Sequence, residues 1–283
     1  MWSNFHSHST YCDGKASLKD IVEAARGRVR WLGFSSHAPV TFNCSWTMKM
    51  DAVDPYILEI NSLKKVNPEM EIYTGLEIDY VPRVSGPWYF QFEPLDYTIG
   101  SVHFADALPD GTRWEVDGSH AKFLEGLEKI FDNKIQDAVT RYYELTRQML
   151  KYEPPTILGH MDKIKIQNTG HPLFDESETW YREEVKKTID SIQRSGTIVE
   201  VNTRGLYQKK SDTPYPSPWI LEILCQKNIP VTLNSDAHHP DDLVNQFPET
   251  AALLKKIGFK KLSVLSQGEW KPMNFNESGI LER

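Results

Sequence analysis

Residues 71–79 run Glu71-Ile72-Tyr73-Thr74-Gly75-Leu76-Glu77-Ile78-Asp79. The apolar weight and length are those of a buried strand. Glu77 sits inside it, where a carboxylate is costly unless it is paired or bound to a metal. A carboxylate has two oxygens, so Glu77 is a candidate bridge between two ions. Asp79 faces the same side. It reads either as a partner behind the ligands or as an exposed strand end.

Outward from this strand the same rhythm recurs. Short apolar runs at 2–8, 31–37, 97–104, 156–160, 197–202 and 230–235 read as further strands, with a weaker one at 261–265. Helix-like segments separate them. Ser17 and Asp20 form a capping-box variant, and Asp54-Pro55 places proline at a first helical position. Residues 177–194 carry apolar side chains at helical spacing, Ser217-Pro218 opens another helix, and 240–256 form the last. Strands alternating with helices give βα units and a parallel sheet. Seven or eight such units predict one closed α/β barrel spanning 1–283 as a single domain. Residues 105–155 break the rhythm as a mostly helical insertion after the fourth strand, read as a loop elaborated at the barrel mouth.

Of nine histidines, His6, His8, His37, His103, His160 and His238 fall at or just past the C-terminal end of a predicted strand. That rim is where β/α barrels build active sites. His120 and His171 lie elsewhere and take no role. His6 and His8 are two apart and point to the same side, so they can grip one ion. An H-x-H is a weak signal alone, but the Asp13-Gly14 turn beyond it strengthens it. Asp236 and His238 repeat the spacing near the other end of the chain, and in a closed barrel the first and last strands are neighbours. Any one of His37, His103 and His160 would read as a satisfied core histidine; together with Glu77 they read as a metal centre. Arg204 follows a strand end at the same rim and can offer a fork to phosphate oxygens. Lys163 and Arg83 are weaker candidates. Trp46, Tyr80, Phe104 and Tyr207 could line a pocket for an imidazole ring, although most aromatic residues are core.

The formal net charge is -7, and lysines occur only as isolated pairs such as Lys64-Lys65. Polymeric nucleic acid is therefore a poor partner, whereas a small anion is not excluded, because a metal site sets its own local sign. Three cysteines, Cys12, Cys44 and Cys225, fit a reducing compartment better than a disulfide framework. No apolar run reaches membrane-spanning length and no secretory signal is visible, so the expected location is the cytoplasm. Oligomeric state is not legible.

In order, the motifs H-S-H-S…D-G, S-S-H-A-P, G-L-E-I-D, G-S-V-H-F, G-H-M-D and S-D-A-H resemble those of the polymerase-and-histidinol-phosphatase (PHP) family across essentially the whole chain. The resemblance implies a distorted (β/α)7 barrel with a trinuclear site. Carried over by position, one metal takes His6, His8, Glu77 and Asp236. A second shares Glu77 and adds His103 and His160. A third takes Asp13, His37 and His238; Asp13 departs from members that use histidine there. Within the family, the chain is most similar to the histidinol-phosphate phosphatases, in length, in the insertion and in Glu200-Val201-Asn202-Thr203-Arg204-Gly205.

The expectation is a phosphomonoesterase acting on L-histidinol phosphate with three divalent ions, zinc, manganese or iron. The six imidazoles and three carboxylates leave roughly three positive charges to attract an anion. A hydroxide bridging two ions is the expected nucleophile, with Asp236 or His238 passing a proton to the leaving group. The alternatives are a related phosphoesterase acting on another small ester or on phosphotyrosine, a metal-dependent amidohydrolase, and a non-catalytic metal-binding module.

Overall fold

The computed structural model describes residues 1–170 and 172–281; His171, which takes no role above, lies outside them. Seven parallel strands form the barrel: β1 (Trp2–Asn4), β2 (Val29–Phe34), β3 (Glu71–Asp79), β4 (Tyr97–Ser101), then β7 (Ile157–Leu158), β8 (Ile198–Asn202) and β9 (Val231–Asn234). Between β4 and β7 lies a two-stranded hairpin, β5 (Phe104–Ala107) with β6 (Arg113–Glu115). Every barrel pair is parallel. The expected (β/α)7 architecture is present, with fewer residues in regular pairing at the strand ends than the apolar runs suggest.

The barrel closes between β9 and β1 largely through side chains. Asn4 Nδ2 donates to Ser235 Oγ at 2.9 Å, and Asn234 Oδ1 accepts from Phe5 N at 2.8 Å. Backbone pairing resumes beyond the strands, where His8 N donates to Ala237 O at 2.8 Å. These bonds set the loop carrying Asp236 and His238 directly beside His6 and His8.

Tyr97 fills the barrel interior. Its hydroxyl donates to Phe5 O at 2.6 Å and Phe34 O at 3.0 Å. Gly33 and Gly75 make room for it: a Cβ at either would come within 2.4 Å of the tyrosine, closer than any packing tolerates. Phe5, just past β1, and Phe34, the last residue of β2, are thereby pinned below the rim.

Helices α1 (Leu18–Ala25), α2 (Val53–Val66), α3 (His120–Phe131), α4 (Ile135–Tyr152), α5 (Thr179–Ser195), α6 (Arg204–Tyr207), α7 (Pro218–Gln226) and α8 (Phe247–Ile257) complete the chain order. In α1 the buried set Leu18, Ile21, Val22 and Ala25 is one helical stripe, and Ser17 with Asp20 forms the full capping box. Pro55 is the third residue of α2, not the first. The segment 240–256 is not one helix: Gln246 has φ +64, which separates a short 3-10 turn from α8. Residues 105–155 hold the hairpin and α3 as well as α4, which packs against α5.

The weak eighth strand is real but lies outside the barrel. β10 (Lys261–Ser266) pairs antiparallel with β11 (Glu269–Asn276), which pairs with β12 (Gly279–Ile280). Trp270 of this meander packs its ring 5.0 Å from that of Phe5. Among the described residues no helix is long and apolar enough to cross a membrane.

Candidate metal centre

All nine residues singled out as metal ligands meet at the C-terminal rim of the barrel. Glu77 is the hub and is almost fully buried. Its Oε2 lies 3.1 Å from His6 Nε2, 3.4 Å from His8 Nε2 and 3.0 Å from His37 Nδ1. Its Oε1 lies 3.0 Å from His160 Nε2 and 3.8 Å from His103 Nε2, and accepts from Ser101 Oγ at 2.7 Å. The two oxygens thus face different histidines, as a bridging carboxylate requires.

Asp236 Oδ1 lies 3.2 Å from His8 Nε2 and 3.7 Å from His6 Nε2. Its backbone is not extended: φ is +53, in the left-handed region that a non-glycine residue occupies at a cost. Asp236 and His238 therefore reach the site from a strained loop past β9, not from the strand geometry of the spacing argument. Asp13 approaches from the opposite turn, with Oδ2 3.1 Å from His238 Nε2 and Oδ1 3.9 Å from both His37 Nε2 and His8 Nδ1.

His6 Nε2, His8 Nε2, Asp13 Oδ1 and His37 Nδ1 are buried without a hydrogen-bond partner. Orphaned polar atoms are rare in folded proteins, and here they converge. Ligand atoms of His6, His8 and Glu77 lie within 4.8 Å of one another; so do those of Glu77, His103 and His160, and those of His8, Asp13, His37 and His238. Imidazole nitrogens and carboxylate oxygens in such groups fit several divalent cations.

The electrostatics agree. Burial opposes ionisation of Glu77, yet His6, His37 and His160 hold its carboxyl well below the ordinary range. Asp236 is likewise held low, burial being outweighed by Arg204, His6 and His8. Burial would lower His8, but its hydrogen bond with Asp236 and the neighbouring Cys12 push it up to about 9. For His103, Asp79 and Asp117 outweigh burial and push it up to about 10. Burial and the nearby His8 bring His238 down to about 4.

Behind the ligands, Glu200 Oε1 sits 2.6 Å from His6 Nδ1, and Oε2 accepts from His160 N at 2.9 Å. Asp79 Oδ1 sits 2.9 Å from His103 Nδ1. Asp79 is therefore a buried orienting partner, not an exposed strand end. Glu200 is not among the candidate ligands read from the sequence, although it is an internal carboxylate on an apolar strand, the same signal that singles out Glu77.

A cavity of about 230 Å³ opens over this floor, and Trp46, Asp117, Lys163, Arg204 and Tyr215 stand in its wall. Arg204 Nη1 donates to Asp236 O at 2.7 Å and Oδ1 at 3.2 Å, and contacts His238 Nδ1. Lys163 Nζ is 3.8 Å from Asp236 Oδ2. Trp46 stacks on Phe104 with ring centroids 5.4 Å apart. Tyr207 supports the loop from behind, donating to Ser235 O at 3.0 Å. Tyr80 is core, Arg83 lies in an exposed turn, and Cys12 sits 3.5 Å from His8 Nδ1.

A relative from Bacillus subtilis named histidinol-phosphatase is 26% identical over 84% of this chain and 94% of its own length. One from Schizosaccharomyces pombe named "Probable histidinol-phosphatase" is 24% identical over 93% of this chain and 89% of its own. Histidinol phosphate phosphatase of Lactococcus lactis, solved with zinc, L-histidinol and phosphate, superposes with a TM-score of 0.73 at 20% identity, over 95% of this chain and 98% of that one; at that identity it speaks to the fold. The PHP domain model matches residues 4–204, which hold seven of the nine converging ligands from His6 to His160, and the chain belongs to the PHP domain family.

Proposed function

We propose that this protein is a metal-dependent phosphomonoesterase that hydrolyses L-histidinol phosphate to L-histidinol and phosphate, a step of histidine biosynthesis, in the cytoplasm. One observation carries the reaction class: the orphaned ligand atoms of Asp13 and His37, beside Glu77, share a cavity with three cationic side chains, Lys163, Arg204 and Lys210, set among the carboxylates Glu115 and Asp117. A floor for dications beneath a cationic wall suits a phosphate dianion. The substrate rests on the relatives named histidinol-phosphatase and on the histidinol and phosphate held by the Lactococcus lactis protein.

The donor set fits three ions, zinc, manganese or iron. His6, His8, Glu77 and Asp236 would hold one, Glu77, His103 and His160 a second, and Asp13, His37 and His238 a third. Ions at these positions lower the pKa of water to about 7 and neutralise phosphate charge. The protein's own groups do the rest. Arg204 and Lys163 orient the phosphoryl oxygens. Asp236 or His238, both beside the bound phosphate oxygens in this reading, passes a proton to the departing alkoxide.

The test is phosphate release by purified protein loaded with zinc or manganese, over a panel of monoesters that includes L-histidinol phosphate. A large kcat/KM preference for histidinol phosphate is expected. Equal, slow turnover of every ester would remove the substrate assignment, and no turnover by metal-replete protein would remove the reaction.

A further inference from the structure

Five tyrosines are fully buried: Tyr56, Tyr142, Tyr143, Tyr181 and Tyr215. Four of them have a hydrogen-bond partner for the hydroxyl. Tyr56 donates to Gly75 O at 3.0 Å, Tyr142 to His160 O at 3.4 Å, and Tyr143 and Tyr181 pair at 3.1 Å. The Tyr215 hydroxyl has none. A buried hydroxyl without a partner is destabilising, and Tyr215 stands in the wall of the metal cavity beside Lys163, Arg204 and Gly205.

The phenol is held rigidly. Asn202 N donates to Tyr215 O at 2.7 Å and Tyr215 N to Asn202 O at 3.0 Å, which ties the residue to the end of β8. The Asn202 side chain in turn donates to Asp236 Oδ2 at 3.2 Å. On the ring, the Lys165 ammonium lies 5.1 Å from the centroid, and it is fixed by Asp162 at 2.9 Å and by Ser217 Oγ at 2.6 Å. The hydroxyl end packs onto the start of α6: a Cβ on Gly205 would lie 2.9 Å from Tyr215 Cζ. A side chain braced this thoroughly, with its one polar atom left over, is a preorganised donor.

We propose that Tyr215 donates a hydrogen bond to the phosphoryl group of the substrate, an inference that rests on the phosphomonoesterase reading. Its neighbours select an anion. Lys163 Nζ, 5.6 Å from the ring centroid, has ion pairs to Asp117 at 3.6 Å and Asp236 at 3.8 Å, both longer than a hydrogen bond. An entering phosphate draws Lys163 onto itself and opens the hydroxyl to a phosphoryl oxygen, so that Tyr215, Lys163 and Arg204 hold the group from one side.

The experiment compares metal-loaded wild type with Tyr215→Phe. It reads inorganic phosphate affinity by direct titration, turnover of L-histidinol phosphate, and the melting temperature without phosphate. Losing a donor to a charged oxygen weakens phosphate binding by about tenfold or more, with kcat/KM falling in step. The phosphate-free melting temperature stays level or rises, because an unsatisfied hydroxyl has been removed. Unchanged phosphate affinity overturns the proposal. A lower phosphate-free melting temperature also overturns it, because the hydroxyl would then have a structural partner. Wild type that binds phosphate but cleaves no monoester would instead defeat the phosphatase reading and leave the phosphate titration to decide on Tyr215.

Discussion

Glu200 and His6 form a buried carboxylate–imidazole pair, with Oε1 2.6 Å from Nδ1, and the pairing turns Nε2 of the same ring toward Glu77 at 3.1 Å. A carboxylate on the far nitrogen fixes the tautomer and raises the basicity of the near one. Glu200→Gln keeps the shape and removes the charge. Its expected effect is a drop in metal affinity of about 10–100-fold, read by competition with a calibrated chelator. Wild-type affinity in this variant would mean that the pair serves only to pack the barrel.

The histidine ligands are legible in the sequence because they fall at or just past the end of an apolar run, where a strand delivers its last side chains to one rim, and Glu77 because it is a carboxylate inside one. The closure of the barrel is legible for the same reason: His6-Ser7-His8 and Asp236-Ala237-His238 only make sense as neighbours. The asparagine side chains that achieve it are not, since Asn4 and Asn234 bond Ser235 and Phe5 more than 200 residues away along the chain. Glu200 enters the sequence reading only within a stretch of family likeness and without a role, although Ile198–Asn202 is wholly buried; the cost of a buried carboxylate points to it as firmly as to Glu77. The left-handed backbone of Asp236 carries no glycine or asparagine signal, because the surrounding contacts impose it. Tyr215 follows a polar loop, and nothing local marks its hydroxyl as unsatisfied.

Metal-free protein should lose stability as pH rises, and bound metal should offset that loss. His8 and His103 are pushed up to about 9 and about 10, from an ordinary value near 6.5. A raised pKa contributes stability that is fully present below about 6.5 and is lost as pH rises through 9 to 10. Metal competes with those protons, so loading strengthens over the same interval. Between pH 7 and 9 the melting temperature of metal-free protein should fall, while the gain on adding chelator-buffered zinc should grow. A zinc-induced gain that shrinks across this range would refute the proton–metal competition.

Arg204 presents one nitrogen to Asp236 and stands in the wall of the metal cavity, where its fork can meet a ligand. Arg204→Lys retains the charge and loses the fork, and the two side chains are not interchangeable at a bidentate site. The KM for histidinol phosphate should rise about tenfold, and product inhibition by phosphate should weaken alongside it, with metal content close to wild type. Steady-state kinetics on metal-quantified samples decide the matter. An unchanged KM would leave Arg204 as a brace for the Asp236 loop.

Glu77→Gln tests the centre as a whole. The Oε2 atom faces His6, His8 and His37, and Oε1 faces His160 and His103. A carboxylate can serve both sides because its charge is shared between two equivalent oxygens. An amide offers one oxygen and a nitrogen that only donates, so whichever way the substituted side chain turns, one side meets an N–H in place of a ligand. The loss of charge weakens the side that keeps the oxygen as well. Metal analysis should therefore show the variant missing more than one ion, and turnover should fall at least about a hundredfold, at the upper end of what even outer partners of a metal site cost. Loss of a single ion would mean that Glu77 is a terminal ligand, with Asp236 or Asp13 joining the two sides. Full metal content with normal turnover would remove Glu77 from the centre, leaving its burial among five histidines without a cause.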